Sequence, residues 1–139
     1  RRSAAYLRQV SLPTDIRTVM LGLHGALRGS RGAAATVCLV RDATLTACGV
    51  GNVEMRSRGS AIPFALCPGI LGTSCGSLRI FSHSIAATDR IALFSDGVRR
   101  TLSLESAARL SLPAAADALF HDYAGGDDDA TLLLLEANT

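Results

Sequence analysis

The sequence predicts an α+β fold, with strands filling the middle of the chain and helices flanking them. Three observations predict it. Apolar residues recur at spacings of three and four over 16–27 and over 112–123, the period of an amphipathic helix. Between those segments the period changes. Residues 33–40 and 90–95 are apolar runs without a polar face, the mark of strands buried on both sides. The elements do not alternate. Their order is helix, about six strands, helix, strand, which suits α+β better than a parallel α/β sheet.

The elements follow in order. Residues 1–10 read as the tail of a helix, with Ala4, Ala5 and Leu7 on its apolar side. Ser11-Leu12-Pro13-Thr14 is a loop whose last residue can serve as an N-cap, and Asp15 suits the positive end of a helix dipole. Ile16, Val19, Met20, Leu23 and Leu27 form the apolar stripe of the next helix, and Gly29 stops it. Arg41-Asp42 turns the chain after 33–40. Residues 44–50 and 53–58 are strand candidates around Gly51-Asn52, a hairpin-type punctuation. Residues 62–67 read as a short strand before Pro68-Gly69, and 69–77, rich in Gly and Ser, as a loop. Residues 78–86 read as a strand and Thr88-Asp89 as a turn. Ile91-Ala92-Leu93-Phe94 then lead a strand into Ser95-Asp96-Gly97. Residues 102–110 read as a short helix. A longer one begins near Ser111, with Pro113 in its first turn and Leu112, Ala116, Leu119, Phe120 and Tyr123 on its apolar face. Gly125-Gly126 closes it, and 131–135 form a final buried strand.

Composition bounds the function. A chain of 139 residues suits a single domain, 1–139, and 48% hydrophobic residues suffice for a core. A net charge of +2 lacks the basic stripe that nucleic acid demands, so no nucleic-acid partner is expected. No segment approaches the roughly 20 apolar residues of a membrane span, and no leader peptide is visible, so no membrane partner is expected. Cys38, Cys48, Cys67 and Cys75 include no Cys-x-x-Cys pair, which argues against structural zinc and for a reducing, cytoplasmic setting. All 14 basic residues are arginine; scattered as they are, one or two at most could recognise phosphate.

Two aspartate motifs carry the chemistry. Asp96 follows one apolar strand directly, and Asp128 precedes another. If the two strands are neighbours in one sheet, both carboxylates project from the same edge. Hard divalent cations, Mn²⁺ or Mg²⁺, need clustered oxygen ligands of this kind. Gly97 permits close approach to the backbone. Taken singly, each motif is a turn. The histidines His24, His83 and His121 form neither a metal nor a triad pattern. Gly49-Val50-Gly51-Asn52 fails as a dinucleotide fingerprint because Glu54 stands where a glycine is needed.

Taken in order, several segments resemble a known family. They are Leu27-Arg28-Gly29-Ser30-Arg31-Gly32-Ala33-Ala34, Gly49-Val50-Gly51-Asn52, Pro68-Gly69-Ile70-Leu71-Gly72, Ser95-Asp96-Gly97 and Asp128-Asp129-Ala130-Thr131. They resemble the SpoIIE and RsbX-like branch of the type 2C protein phosphatases, from about residue 14 to 136. The resemblance implies a four-layer sandwich, two antiparallel sheets inside and helices outside, with two Mn²⁺ or Mg²⁺ ions at one end. It implies a metal-activated water that hydrolyses phosphoserine or phosphothreonine on a bacterial regulatory protein of the stressosome or anti-sigma antagonist type. It matches Asp96 and Asp128 to metal ligands, with Gly97 beside the first and Asp129 just outside the ligand set. The family's first metal motif, Asp-Gly-x-Gly, has no counterpart before residue 41. The expectation is therefore a domain whose N-terminal strands and metal loop lie outside these residues. The alternative is a catalytically silent phosphatase-like module that binds a signalling partner.

Overall fold

The computed structural model describes residues 1–138. Its elements are α1 (Arg2–Leu7), α2 (Ile16–Ala26), β1 (Ala35–Arg41), β2 (Thr44–Val50), β3 (Glu54–Arg58), β4 (Gly69–Ile70), β5 (Ser74–Cys75), β6 (Phe81–Ser84), β7 (Arg90–Phe94), a 3₁₀ turn (Leu104–Ala107), α3 (Leu112–Tyr123) and β8 (Leu132–Glu136). The strands form two antiparallel three-stranded sheets, β1-β2-β6 and β3-β7-β8, and a small β4-β5 hairpin.

Strand alternation explains the layering. On β2, Cys48 and Val50 face α2, while Leu45 and Ala47 face the second sheet. On β7, Ala92 and Phe94 face α3, while Ile91 and Leu93 face the first sheet. Because successive side chains point to opposite faces, one strand feeds two cores. Three apolar cores result, one under α2, one between the sheets and one under α3. This is the four-layer α-β-β-α sandwich, and it buries central strand β7 on both faces, whereas the edge strands β1 and β8, expected to be buried, leave Val40 58% and Leu133 51% exposed.

The helices follow local chemistry. Asp15, not Thr14, caps α2: its Oδ1 accepts from Thr18 N at 2.9 Å and its Oδ2 from Thr18 Oγ1 at 2.6 Å. These bonds to Thr18 hold the Asp15 carboxyl below its usual pKa. Ser111 caps α3, and Ala115 and Leu119 form its buried stripe. Phe120, expected on that stripe, is 42% exposed.

Several expectations are corrected. Residues 44–50 and 53–58 do not form a hairpin. The chain crosses between sheets at Gly51-Asn52, and β3 pairs with β7 instead. Residues 62–67 form no strand and make only an isolated bridge, Val50 to Cys67. The 69–77 loop contains the β4-β5 hairpin, and the strand over 78–86 shrinks to Phe81–Ser84. Residues 102–110 make one 3₁₀ turn rather than a helix. Arg90 anchors this segment: its guanidinium donates to Ala107 O at 3.0 Å and Leu110 O at 2.7 Å. No described helix is long and apolar enough to cross a membrane.

Candidate metal site

The β7-β8 register decides where the aspartates go. Phe94 pairs with Leu132 at the end of the ladder. The pairing continues one step further, with Ser95 N donating to Thr131 O at 3.0 Å and Thr131 N to Ser95 Oγ at 2.9 Å. Asp96 and the run Asp127-Asp128-Asp129 therefore leave the same end of the same sheet. The expected neighbour relation of the two strands holds.

The aspartate loop is held at both of its ends. Val98 bridges Ala124, and Gly125 N donates to Gly97 O at 2.9 Å. Thr131 is fixed to Ser95. Between these anchors the backbone of Asp129 and Ala130 presses on Gly97, where a Cβ would strike the Asp129 carbonyl. Gly97 is needed here for space rather than for an unusual φ. Asp128 Oδ1 accepts from the Asp129 amide at 3.0 Å.

One residue of the site escaped the sequence reading. Asn52 Nδ2 donates to Asp96 Oδ2 at 2.6 Å. Glu54 pairs with Phe94, so two further steps along the antiparallel ladder set Asn52 opposite Asp96. Reading Gly51-Asn52 as a hairpin turn hid this, because the pairing is with a strand some forty residues on. The signal available was the antiparallel match of 54–58 with 90–94.

Two arginines, Arg56 and Arg100, meet beside β3. Arg100 NH2 lies 3.3 Å from Glu54 Oε1, with its side chain 75% exposed. Arg56 donates to Arg100 O at 2.8 Å and stacks over Phe94. Burial pushes the Cys38 and Cys48 thiols up to about 11. Asp89, just before the opposite end of β7, has its carboxyl lowered by hydrogen bonding from Ser60 and then Ala86. A groove of about 1000 Å³ between the Leu12–Arg17 segment and β1 is lined by neither Asp96 nor Asp128.

Asp96 and Asp128 offer the oxygen donors that a hard cation takes, and both are exposed to incoming solute. Two carboxylates with water suit one hydrated ion. Among the described residues no group of three His, Cys, Asp or Glu residues converges to hold a metal. The residues thus fit partial coordination of one ion and not, by themselves, a two-ion centre.

The layering defines the fold: the chain shares the fold of solved phosphatase domains, those of RsbX and SpoIIE among them. Among solved structures, a chain from work on the bacterial stressosome as a modular system controlling secondary messenger signalling aligns with TM-score 0.82 and 27% identity, over 95% of this chain and 72% of that one. RsbX in complex with magnesium aligns with TM-score 0.75 and 19% identity, over 96% and 67%. The phosphatase domain of the cell fate determinant SpoIIE from Bacillus subtilis aligns with TM-score 0.60 and 16% identity, over 99% and 70%. No family model and no curated protein matches the chain.

Proposed function

We propose that this chain is part of a metal-dependent protein-serine/threonine phosphatase that acts on a phosphorylated regulatory protein in the cytoplasm. One observation carries the reading: the β7-β8 register brings Asp96 and Asp128 to one end of one sheet. The fold shared with magnesium-bound RsbX and the SpoIIE phosphatase domain supports it. The stressosome neighbour supports a signalling role with a protein partner.

The residues have separable roles. Asp96 and Asp128 are the ligands for Mn²⁺ or Mg²⁺. Gly97 lets the aspartate loop close on the 95–98 turn, and Asp129 supplies backbone to that closure. A bound ion contributes Lewis acidity that makes water a nucleophile at neutral pH and offsets phosphate charge. Ligands beyond these two are required for a second ion.

The test is hydrolysis of a phosphoserine protein by the gene product with and without Mn²⁺. Metal-dependent turnover that disappears in Asp96→Ala is expected. Turnover equal in wild type and Asp96→Ala refutes the reading. Partner binding that survives both chelator and Asp128→Ala, without turnover, establishes the silent binding module instead.

A further inference from the structure

The segment between β2 and β3 carries the chain from one sheet to the other and sets an amide on Asp96. Its backbone is fixed on both sides. Before Asn52, Gly51 N donates to Cys67 O at 3.1 Å and Cys67 N to Gly49 O at 2.8 Å, beside Val50, which is fully buried. Gly51 takes φ +99°, where a Cβ would collide with Ala34. After Asn52, Glu54 opens the ladder to Phe94.

That anchoring distinguishes the Asn52–Asp96 bond from an ordinary surface contact. Two free side chains lose rotamer entropy when they meet, which offsets most of the gain. Here one partner projects from an immobilised turn and the other from the end of a central strand. The bond is 2.6 Å, shorter than the usual N–H···O range. An ionised acceptor shortens and strengthens such bonds. Asp96 Oδ1 takes no hydrogen bond from the described residues, so the carboxylate has one oxygen tied and one open.

We propose that Asn52 is a positioning residue for Asp96. It holds Oδ2, fixes the plane of the carboxylate and leaves Oδ1 to meet an incoming hard cation. The proposal rests on Asp96 being a metal ligand. Groups that orient a ligand in this way typically govern affinity by 10–100-fold.

The 139-residue chain, ¹⁵N-labelled, is titrated with MnCl₂, and the slope of paramagnetic broadening is read at the amides of 95–98 and 128–131. Wild type, Asn52→Ala, Asn52→Ser and Asp96→Ala are compared, with the undisturbed amide spectrum of β1 and β2 as the check on folding. Serine is too short to reach Asp96 but keeps a turn-compatible polar residue, so it serves if the alanine variant misfolds. The expected result is local broadening in wild type, loss of it in Asp96→Ala, and a slope about tenfold lower in both Asn52 variants. Slopes within twofold of wild type in the folded Asn52 variants, with Asp96→Ala silent, overturn the positioning role alone. Equal broadening in wild type and Asp96→Ala, or none at these amides in wild type, overturns the metal reading beneath it.

Discussion

Replacing Gly97 with alanine tests whether the closure of the aspartate loop builds the site. A Cβ at residue 97 meets the Asp129 carbonyl oxygen and carbon and the Ala130 Cα, all nearer than a real Cβ comes to any neighbour. All three are backbone atoms, so no side-chain rotation relieves the clash. The loop cannot simply lift away, because Thr131 is tied to Ser95 by bonds of 3.0 and 2.9 Å and Gly125 to Gly97 by one of 2.9 Å. Forcing a methyl into a packed position costs about 1–3 kcal/mol. Yielding one of those hydrogen bonds costs about 1 kcal/mol, within the same range. A loss of about 2 kcal/mol is expected, or roughly 6–10 °C in Tm for a domain of this size. Urea unfolding measures it, with Mn²⁺ broadening at residues 95–98 as the second readout. The variant is expected to lose both stability and metal response, because parting the loop from the turn parts Asp128 from Asp96. A Gly97→Ala protein within about 0.5 kcal/mol of wild type, the ordinary scatter of surface substitutions, refutes the closure argument.

Two other substitutions probe the opposite end of β7. Asp89 is 4% exposed and accepts from Ala86 N at 2.8 Å and Ser60 N at 3.1 Å. Its folded pKa is lowered, so its contribution is present above the unfolded value, about 3.9, and is lost as pH falls through the folded pKa. Asp89→Asn is therefore expected to cost about 2 kcal/mol at pH 7, with the gap to wild type shrinking below about pH 4 in urea midpoints. Arg90 binds Glu136 Oε2 at 2.6 Å together with the Ala107 and Leu110 carbonyls. Lysine keeps the charge but not the fork, so Arg90→Lys is expected to lose about 2–3 kcal/mol by thermal unfolding, and a fully stable variant contradicts that.

What the sequence made legible was whatever short-range pattern determines. The period of α2, the proline and serine that open α3, and the apolar runs of β7 and β8 are all local signals. The link between Asp96 and Asp128 was also legible, because each borders a buried run that needed a neighbour. Long-range pairing was not. Gly51-Asn52 looks like a hairpin turn, yet the residues after it satisfy their backbone against β7. The 102–110 segment has helical spacing at Leu104 and Ala107, but it forms a single 3₁₀ turn whose end is bound from a distant strand by Arg90. In the first place a distant partner overrode a local preference and concealed Asn52.

Strand β7 divides the labour of the second sheet. Its apolar stretch, Ile91–Phe94, separates a structural end from a chemical one. At about 3.3 Å per residue, Asp89 and Asp96 stand roughly 23 Å apart along the chain direction. At the first end the polar groups are buried and partnered, and Arg90 is tied to three acceptors. At the second the carboxylates are exposed, and Asp96 is held by one amide with one oxygen free. Satisfied, buried charge serves the fold; exposed, half-satisfied charge on a fixed backbone is available to a ligand. Groups so far apart with no shared partners act independently, so Asp89→Asn and Asn52→Ala should combine additively in stability, to within about 0.5 kcal/mol. Only the second should change the response to Mn²⁺. A coupled loss would mean that the two ends are not separate devices, and that Asp96 is one more strut of the sandwich.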